Sequence, residues 1–236
     1  VSDTLRLSSF LKSPARKLTA DQKQLISLGR GLVREDVAGV LMDEPLTVID
    51  PDLKFRLRRN LKEINEQYKT TLVYVTHDQN EAMTFADNII VMDQGEIVQV
   101  GLPKDLFEKP RTTFVGYFIG SPAMNLFNSQ ILSDNSLKFN NDTIKTRTDL
   151  SKIKNKNVKL GIRSEFIKIA TDQKENVVSV KVTRVEDLGN YKLITAKMGD
   201  FTIKSKVTRE TEIPSQDVKL HIPAEKCCVY ENNKLI

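Results

Sequence analysis

Two short apolar runs, each ending in a chemically capable side chain, constrain this chain more than any other feature. Val40-Leu41-Met42 leads into Asp43-Glu44-Pro45, and Val73-Tyr74-Val75 leads into Thr76-His77-Asp78. Between them, Pro51–Tyr68 reads as an amphipathic helix with Lys54, Arg58, Arg59 and Lys62 on its outer side. Strand, helix and strand at these lengths make the parallel crossover unit of an α/β layer. Parallel strands end at the same edge of their sheet, so two carboxylates and a histidine converge there. That set suits phosphoryl transfer: Asp43 to hold Mg²⁺ through its waters, Glu44 to orient a water, and His77 to hydrogen-bond the terminal phosphate. Asp-Glu-Pro alone is also an ordinary turn, and a histidine at a strand end an ordinary structural residue. Their joint order carries the reading. The chain has no G-x-x-x-x-G-K-[ST] phosphate loop and no Gly-Lys pair, so it holds half of a nucleotide site.

Around this centre the first 34 residues read as helical. Leu5, Leu7, Phe10 and Leu11 form an apolar stripe that Pro14 ends. A second helix starts at Thr19-Ala20-Asp21-Gln22, which has the form of a capping box, and Leu25, Leu28, Leu32 and Val33 give it a core face. Val37–Met42 and Thr71–Thr76 read as buried strands, Gln79–Ala86 as a helix, and Asn88–Asp93 with Glu96–Val100 as a hairpin about Gln94-Gly95. Short helices are expected at Pro103–Glu108 and Thr112–Phe118.

The pattern changes at Gly120-Ser121-Pro122. Beyond it, short alternating segments recur at Leu137–Phe139, Val158–Ile162, Val177–Val185, Leu193–Met198, Phe201–Val207, Val218–Ile222 and Cys227–Tyr230. Turns at Asn140-Asn141-Asp142, Gly189-Asn190 and Gly199-Asp200 separate several of them. Many short strands with regular turns suggest a small OB-type barrel. The expected division is therefore an α/β part over residues 1–120 and an all-β part over residues 121–236.

Composition removes other classes. At 39% hydrophobic and 28% charged, the chain is too apolar for disorder. No apolar run approaches the ~18 residues of a membrane span. Two histidines, and two cysteines adjacent at Cys227-Cys228, leave little for a metal cluster or a disulfide scaffold and fit a reducing compartment. Residues 121–236 hold 20 basic and 14 acidic side chains, but 16 of the basic ones are dispersed lysines, which reads as a solvated surface. Phe139, Phe166, Tyr191 and Phe201 are scattered, so no stacking platform for single strands is marked and no nucleic-acid partner is expected. The start at Val1, without a signal or a domain entry, suggests an N-terminal truncation.

Leu18–Gln22, Asp43-Glu44-Pro45, Asp50 and Thr76-His77-Asp78 resemble, in order and spacing, the signature, Walker B, D-loop and switch-histidine elements of ABC-transporter ATPases. The resemblance continues through Asp93-Gln94-Gly95, Gly120-Ser121-Pro122-Ala123-Met124-Asn125, Gly161-Ile162-Arg163-Ser164-Glu165 and Ile222-Pro223-Ala224-Glu225. This fuller set is similar to the sugar and polyol importer group that includes the maltose-type ATPases. It implies the C-terminal part of a P-loop NTPase-type ABC nucleotide-binding domain followed by an OB-type (TOBE) regulatory domain. It implies ATP and Mg²⁺ as cofactors and a location at the cytoplasmic face of a bacterial membrane. It further implies a second ATPase subunit and two permeases as partners, with a solute-binding protein served indirectly. The roles implied are Mg²⁺ for Asp43, catalysis for Glu44 and His77, communication across the dimer for Asp50, and the partner's nucleotide for Thr19, Ala20, Asp21 and Gln22.

One departure stands out. The family's signature is Leu-Ser-Gly-Gly-Gln, and here Asp21 replaces the second glycine, placing a carboxylate where a polyanionic nucleotide is expected. Asp21 also suits a helix N-terminus, and both readings can hold. The expectation is an asymmetric pair of ATPases in which the site holding the partner's phosphate loop is the weaker one. The pairing of Leu18–Gln22 with Leu46–Asp50 resembles one of the paired glycerol-uptake ATPases. A non-catalytic assembly subunit is the rival, favoured by Asp21 and opposed by Glu44 and His77. Alone, the chain is expected to show no ATPase activity.

Overall fold

The computed structural model describes the chain apart from Thr4, Glu35, Asp36, Ser215 and Gln216, and apart from the side chains of Asp52 and Tyr68. Backbone packing divides it into two units, Val1–Asp87 and Asn88–Ile236.

The first unit holds α1 (Ala20–Leu32), β1 (Gly39–Asp43), α2 (Pro51–Tyr68), β2 (Thr71–Val75) and α3 (Gln79–Phe85). Strands β1 and β2 pair in parallel, with Gly39 opposite Thr71 and Asp43 opposite Val75, as the crossover predicts. The capping box opens α1: Thr19 Oγ1 accepts from the Gln22 amide at 3.4 Å, and Gln22 Oε1 accepts from the Thr19 amide at 3.1 Å. Leu25 and Leu28 then pack with Leu5, Leu7, Met42, Leu46, Ile49, Leu57 and Leu61 in one core.

Two expectations change. Residues 5–11 form a run of turns, not a helix, because Arg6 takes a left-handed backbone (φ 56°) that interrupts the helical path. Leu5 and Leu7 still reach the core and lie against Gly29 of α1, where a Cβ would come within 2.9 Å of Leu7. The strands are also half-buried: Leu41, Val73 and Val75 are 80%, 46% and 53% exposed. Alternation sends Met42, Leu72 and Tyr74 into the core and their neighbours out.

The second unit opens with the hairpin β3 (Ile89–Asp93) and β4 (Glu96–Gly101), followed by α4 (Pro103–Glu108) and α5 (Thr113–Phe118). Gln94 and Gly95 both have positive φ, 49° and 83°, the tight turn that an X-Gly pair favours. Among the described residues eleven strands follow: β5 (Asn125–Ser133), β6 (Ser136–Phe139), β7 (Asp142–Lys145), β8 (Asn157–Ile162), β9 (Lys168–Ile169), β10 (Val177–Asp187), β11 (Tyr191–Met198), β12 (Phe201–Thr208), β13 (Asp217–His221), β14 (Cys228–Glu231) and β15 (Lys234–Leu235). They form one sheet in the order β15-β14-β8-β5-β6-β7 and another in the order β12-β11-β10-β13-β9. Their inner faces share a core that includes Phe127, Phe139, Leu160, Ile162, Ile194, Ile203 and Leu220.

Two buried asparagines tie the sheets together. Asn125 donates to the Ile162 and Lys204 carbonyls and accepts from the Lys204 amide. Asn176 does the same with the Lys145 and Ile222 carbonyls and the Lys145 amide.

The packing boundary falls at Asp87/Asn88, not near residue 120 where the sequence pattern shifts. Arg163 accounts for part of this, over residues 107–119. It is 1% exposed, and its Nε donates to the Phe107 carbonyl at 2.9 Å while its Nη1 donates to the Gly116 and Ile119 carbonyls. Tyr230 adds a hydrogen bond to the Pro110 carbonyl at 3.1 Å. Residues 107–119 are thereby knitted into the β-rich unit.

Candidate active site

The register of β1 and β2 sets the site. The ladder runs one step past Asp43, because the Glu44 amide donates to the Val75 carbonyl at 2.9 Å. Glu44 then turns with a left-handed φ of 46°, and the buried Pro45, Leu46 and Ile49 anchor the loop behind it. Gln24 of α1 also holds this loop, donating to the Pro45 carbonyl at 3.0 Å.

Glu44 and His77, 33 residues apart in sequence, meet directly. Glu44 Oε1 accepts from the His77 amide at 2.9 Å and lies 2.5 Å from His77 Nδ1. Thr47 donates to Glu44 Oε2 at 2.9 Å. Burial works to raise the Glu44 carboxyl, but the hydrogen bonds from the His77 ring, the Thr47 hydroxyl and the His77 amide outweigh it and hold the group below the usual carboxylate range. A carboxylate with three donors is a weak proton acceptor and a good orienter. With Nδ1–H given to Glu44, the mostly exposed ring offers a second donor at Nε2 only as imidazolium; as neutral imidazole it offers a lone pair there.

The other expected residues fall around this pair. Asp43, at the end of β1, is exposed. Among the described residues no cluster of three His, Cys, Asp or Glu side chains is placed to hold a metal. One carboxylate beside open solvent fits Mg²⁺, which keeps most of its waters and is bound through one or two carboxylates plus substrate phosphates. Asp50 is exposed immediately before α2, and its carbonyl receives the Lys54 amide at 2.8 Å. Thr19, Ala20, Asp21 and Gln22 form the first turn of α1, where Asp21 accepts from the Thr19 hydroxyl. That hydrogen bond, then those from the Gln22 and Asp21 amides, hold the Asp21 carboxyl below its ordinary range. The cap occupies the Thr19 hydroxyl as both donor and acceptor.

Glu81 is the residue that sequence reasoning passed over. It is 3% exposed on α3; its Oε2 accepts from Tyr74 at 2.8 Å and Thr76 at 3.0 Å, and its Oε1 faces Lys54 at 3.6 Å and Arg58 at 3.9 Å. Lys54 and Arg58 thus turn inward, contrary to the expected outward basic face of α2. Burial and the Glu81 carboxylate push the Tyr74 hydroxyl well above its ordinary range. The sign in the sequence was a basic pair at i, i+4, but nothing there names its partner.

The paired Asp43-Glu44 and His77 thus stand at adjacent parallel strand ends of an α/β unit, and the same chain carries a double-sheet, OB-like β unit. Comparison with known proteins points to a class. The family model described as MalK OB fold domain matches residues 120–167. The chain is 35% identical over 224 residues to the trehalose/maltose import ATP-binding protein MalK of Thermococcus litoralis, covering 90% of this chain and 60% of that protein. It is 34% identical over 233 residues to the sn-glycerol-3-phosphate import ATP-binding protein UgpC of Pectobacterium atrosepticum, covering 97% and 64%. The oligosaccharides import ATP-binding protein MsmX of Bacillus subtilis is 34% identical, with 90% and 60% covered. Along nearly all of its length the chain is therefore similar to ATP-binding proteins of ABC sugar and glycerol-phosphate importers. It spans about three fifths of the length of the curated relatives it matches. Among the described residues no helix is long and apolar enough to cross a membrane.

Proposed function

We propose that these residues form the hydrolytic side of an ATPase site that powers solute import, in a subunit docked on permeases at the cytoplasmic face of a membrane. The observation that carries the reading is the Glu44–His77 contact across two parallel strand ends. Bound Mg²⁺ would neutralise charge building on the phosphates, and Asp43 is the residue to hold it through water. Glu44 orients the attacking water, and Thr47 and the His77 amide fix its carboxylate. His77 offers Nε2 to the terminal phosphate as a donor when the ring is cationic. Asp50 signals between subunits from the start of α2, and Thr19 to Gln22 face the partner subunit's nucleotide.

The site residues, all within Val1–Asp87, supply this chemistry, and residues 121–236 supply regulation and contact with a second copy or partner. Asp21 is the single observation in favour of a partner ATPase different from this chain; the comparisons lend that pairing no support. The solute is of the sugar, polyol or glycerol-phosphate kind. The test is ATP binding and turnover with and without a phosphate loop in the same polypeptide. These 236 residues alone should neither bind ATP tightly nor hydrolyse it. Tight binding by the chain alone would overturn the reading of a half-site.

A further inference from the structure

The hub around Glu81 touches three elements of the first unit. Lys54 and Arg58 come from α2, Tyr74 and Thr76 from the end of β2, and Glu81 from α3. Thr76 is the hinge of the arrangement. Its hydroxyl donates to Glu81 Oε2 at 3.0 Å and accepts the Asp78 amide at 3.0 Å. His77 lies between those two residues, and its own amide donates to Glu44. The backbone on both sides of His77 is therefore pinned, on one side by Glu44 and on the other by Thr76 held in place by Glu81.

The other half of the hub is incompletely made. Glu81 Oε1 is buried and takes no hydrogen bond among the described residues, and its nearest cations stand at 3.6 and 3.9 Å. Both cations project from the first two turns of α2, which starts directly after Asp50. A charge-assisted hydrogen bond shortens to about 2.7–2.9 Å when formed. A movement of α2 by about an ångström toward Glu81 would close it, and a movement away would release it.

We propose that Glu81 is a positioning residue that couples the Asp50 end of α2 to the orientation of His77. The importance of His77 rests on the ATPase reading above, whereas the coupling itself is a property of this chain without nucleotide. Glu81 acts only through Thr76 and the two cations, and touches no reacting atom.

The test uses the chain labelled with ¹⁵N-histidine, read at one fixed pH. It has two histidines, so His77 is the reporter and His221, in the second unit, is the control. Glu81→Gln should displace the His77 ring resonances in the direction that Glu44→Gln displaces them, with His221 unmoved. Thr76→Val should do the same, and Thr76→Ser should restore the native position. Lys54→Met should displace His77 in the native background and have no further effect with Glu81→Gln, the non-additivity expected of one network. An unmoved His77 in a folded Glu81→Gln or Thr76→Val chain would overturn the proposal, as would equal Lys54→Met displacements in both backgrounds. Because no nucleotide is present, loss of the ATPase reading would leave these spectra as predicted, and unmoved spectra would leave that reading intact.

Discussion

Replacing Arg163 by methionine tests how the second unit is held together. The guanidinium is 1% exposed, serves the carbonyls of Phe107, Gly116 and Ile119, and lies 4.4 Å from the Phe107 ring centroid. Two of those carbonyls belong to the C-terminal end of α5, where helical partners run out. Hydrogen bonds to a charged donor contribute about 1.5–3 kcal/mol each, and a desolvated cation over a ring about 2. Against these stands the cost of burying a charge, several kcal/mol, which also presses the guanidinium pKa downward. The balance for losing the donor is a destabilisation of about 3–5 kcal/mol, since the Phe107 and Ile119 carbonyls are left without their buried donor at about 1–3 kcal/mol each and the ring contact goes with it. With two units in the chain, a single global unfolding energy is ill-defined, so the local readout is amide hydrogen exchange in α5. The Ile119 amide, bonded to the Val115 carbonyl, should exchange about a hundredfold faster or more. Arg163→Lys should recover only part of the protection, since an ammonium cannot present the same fork. An increase below about tenfold would refute the argument that Arg163 fastens residues 107–119 to the sheets.

Asn176→Gly keeps the left-handed backbone (φ 53°) but deletes three side-chain hydrogen bonds, one buried and two part-buried, between the sheets. Urea unfolding followed by a probe in the second unit should show a loss of about 2–4 kcal/mol. Burial pushes the Cys227 thiol up to about 12. The thiol stays protonated in the folded chain, so alkylation at pH 8 should be slow until urea is added. Because the folded value lies above the unfolded one, its contribution to stability is complete below about pH 9 and declines as pH rises toward about 12. In the proposed ATPase assembly, with a phosphate loop in the same polypeptide, Asp21→Gly should raise turnover at the nucleotide that Thr19 to Gln22 are proposed to face. Unchanged turnover would reduce Asp21 to a helix cap.

The strands, α2 and the hairpin were legible because their apolar periods and turn residues act locally. Strand β5 was missed because its inward face carries Asn125 and Ser129 beside Phe127, which breaks the alternation. Strand β7 hid behind Asn140-Asn141-Asp142, whose turn is real but shorter than its composition suggests. The boundary at residue 120 followed a change of pattern, whereas the packing boundary follows in part from Arg163, whose partners lie 44 to 56 residues away. At the site, the meeting of Glu44 with His77 could be inferred from parallel strands alone. The Glu81 hub could not, since a buried carboxylate, its cations and its hydroxyl donors come from three elements whose apposition only the fold supplies.

The role proposed for Glu44 is chemical, not structural. The direct measurement is ATP turnover in the proposed transporter complex, with this chain carried in a polypeptide that includes a phosphate loop, native against Glu44→Gln, and with nucleotide binding measured in parallel. Losing the carboxylate that orients the attacking water should lower kcat about 10²-fold or more, with binding retained. Turnover at the native rate would contradict it and make this chain a passive member of the assembly.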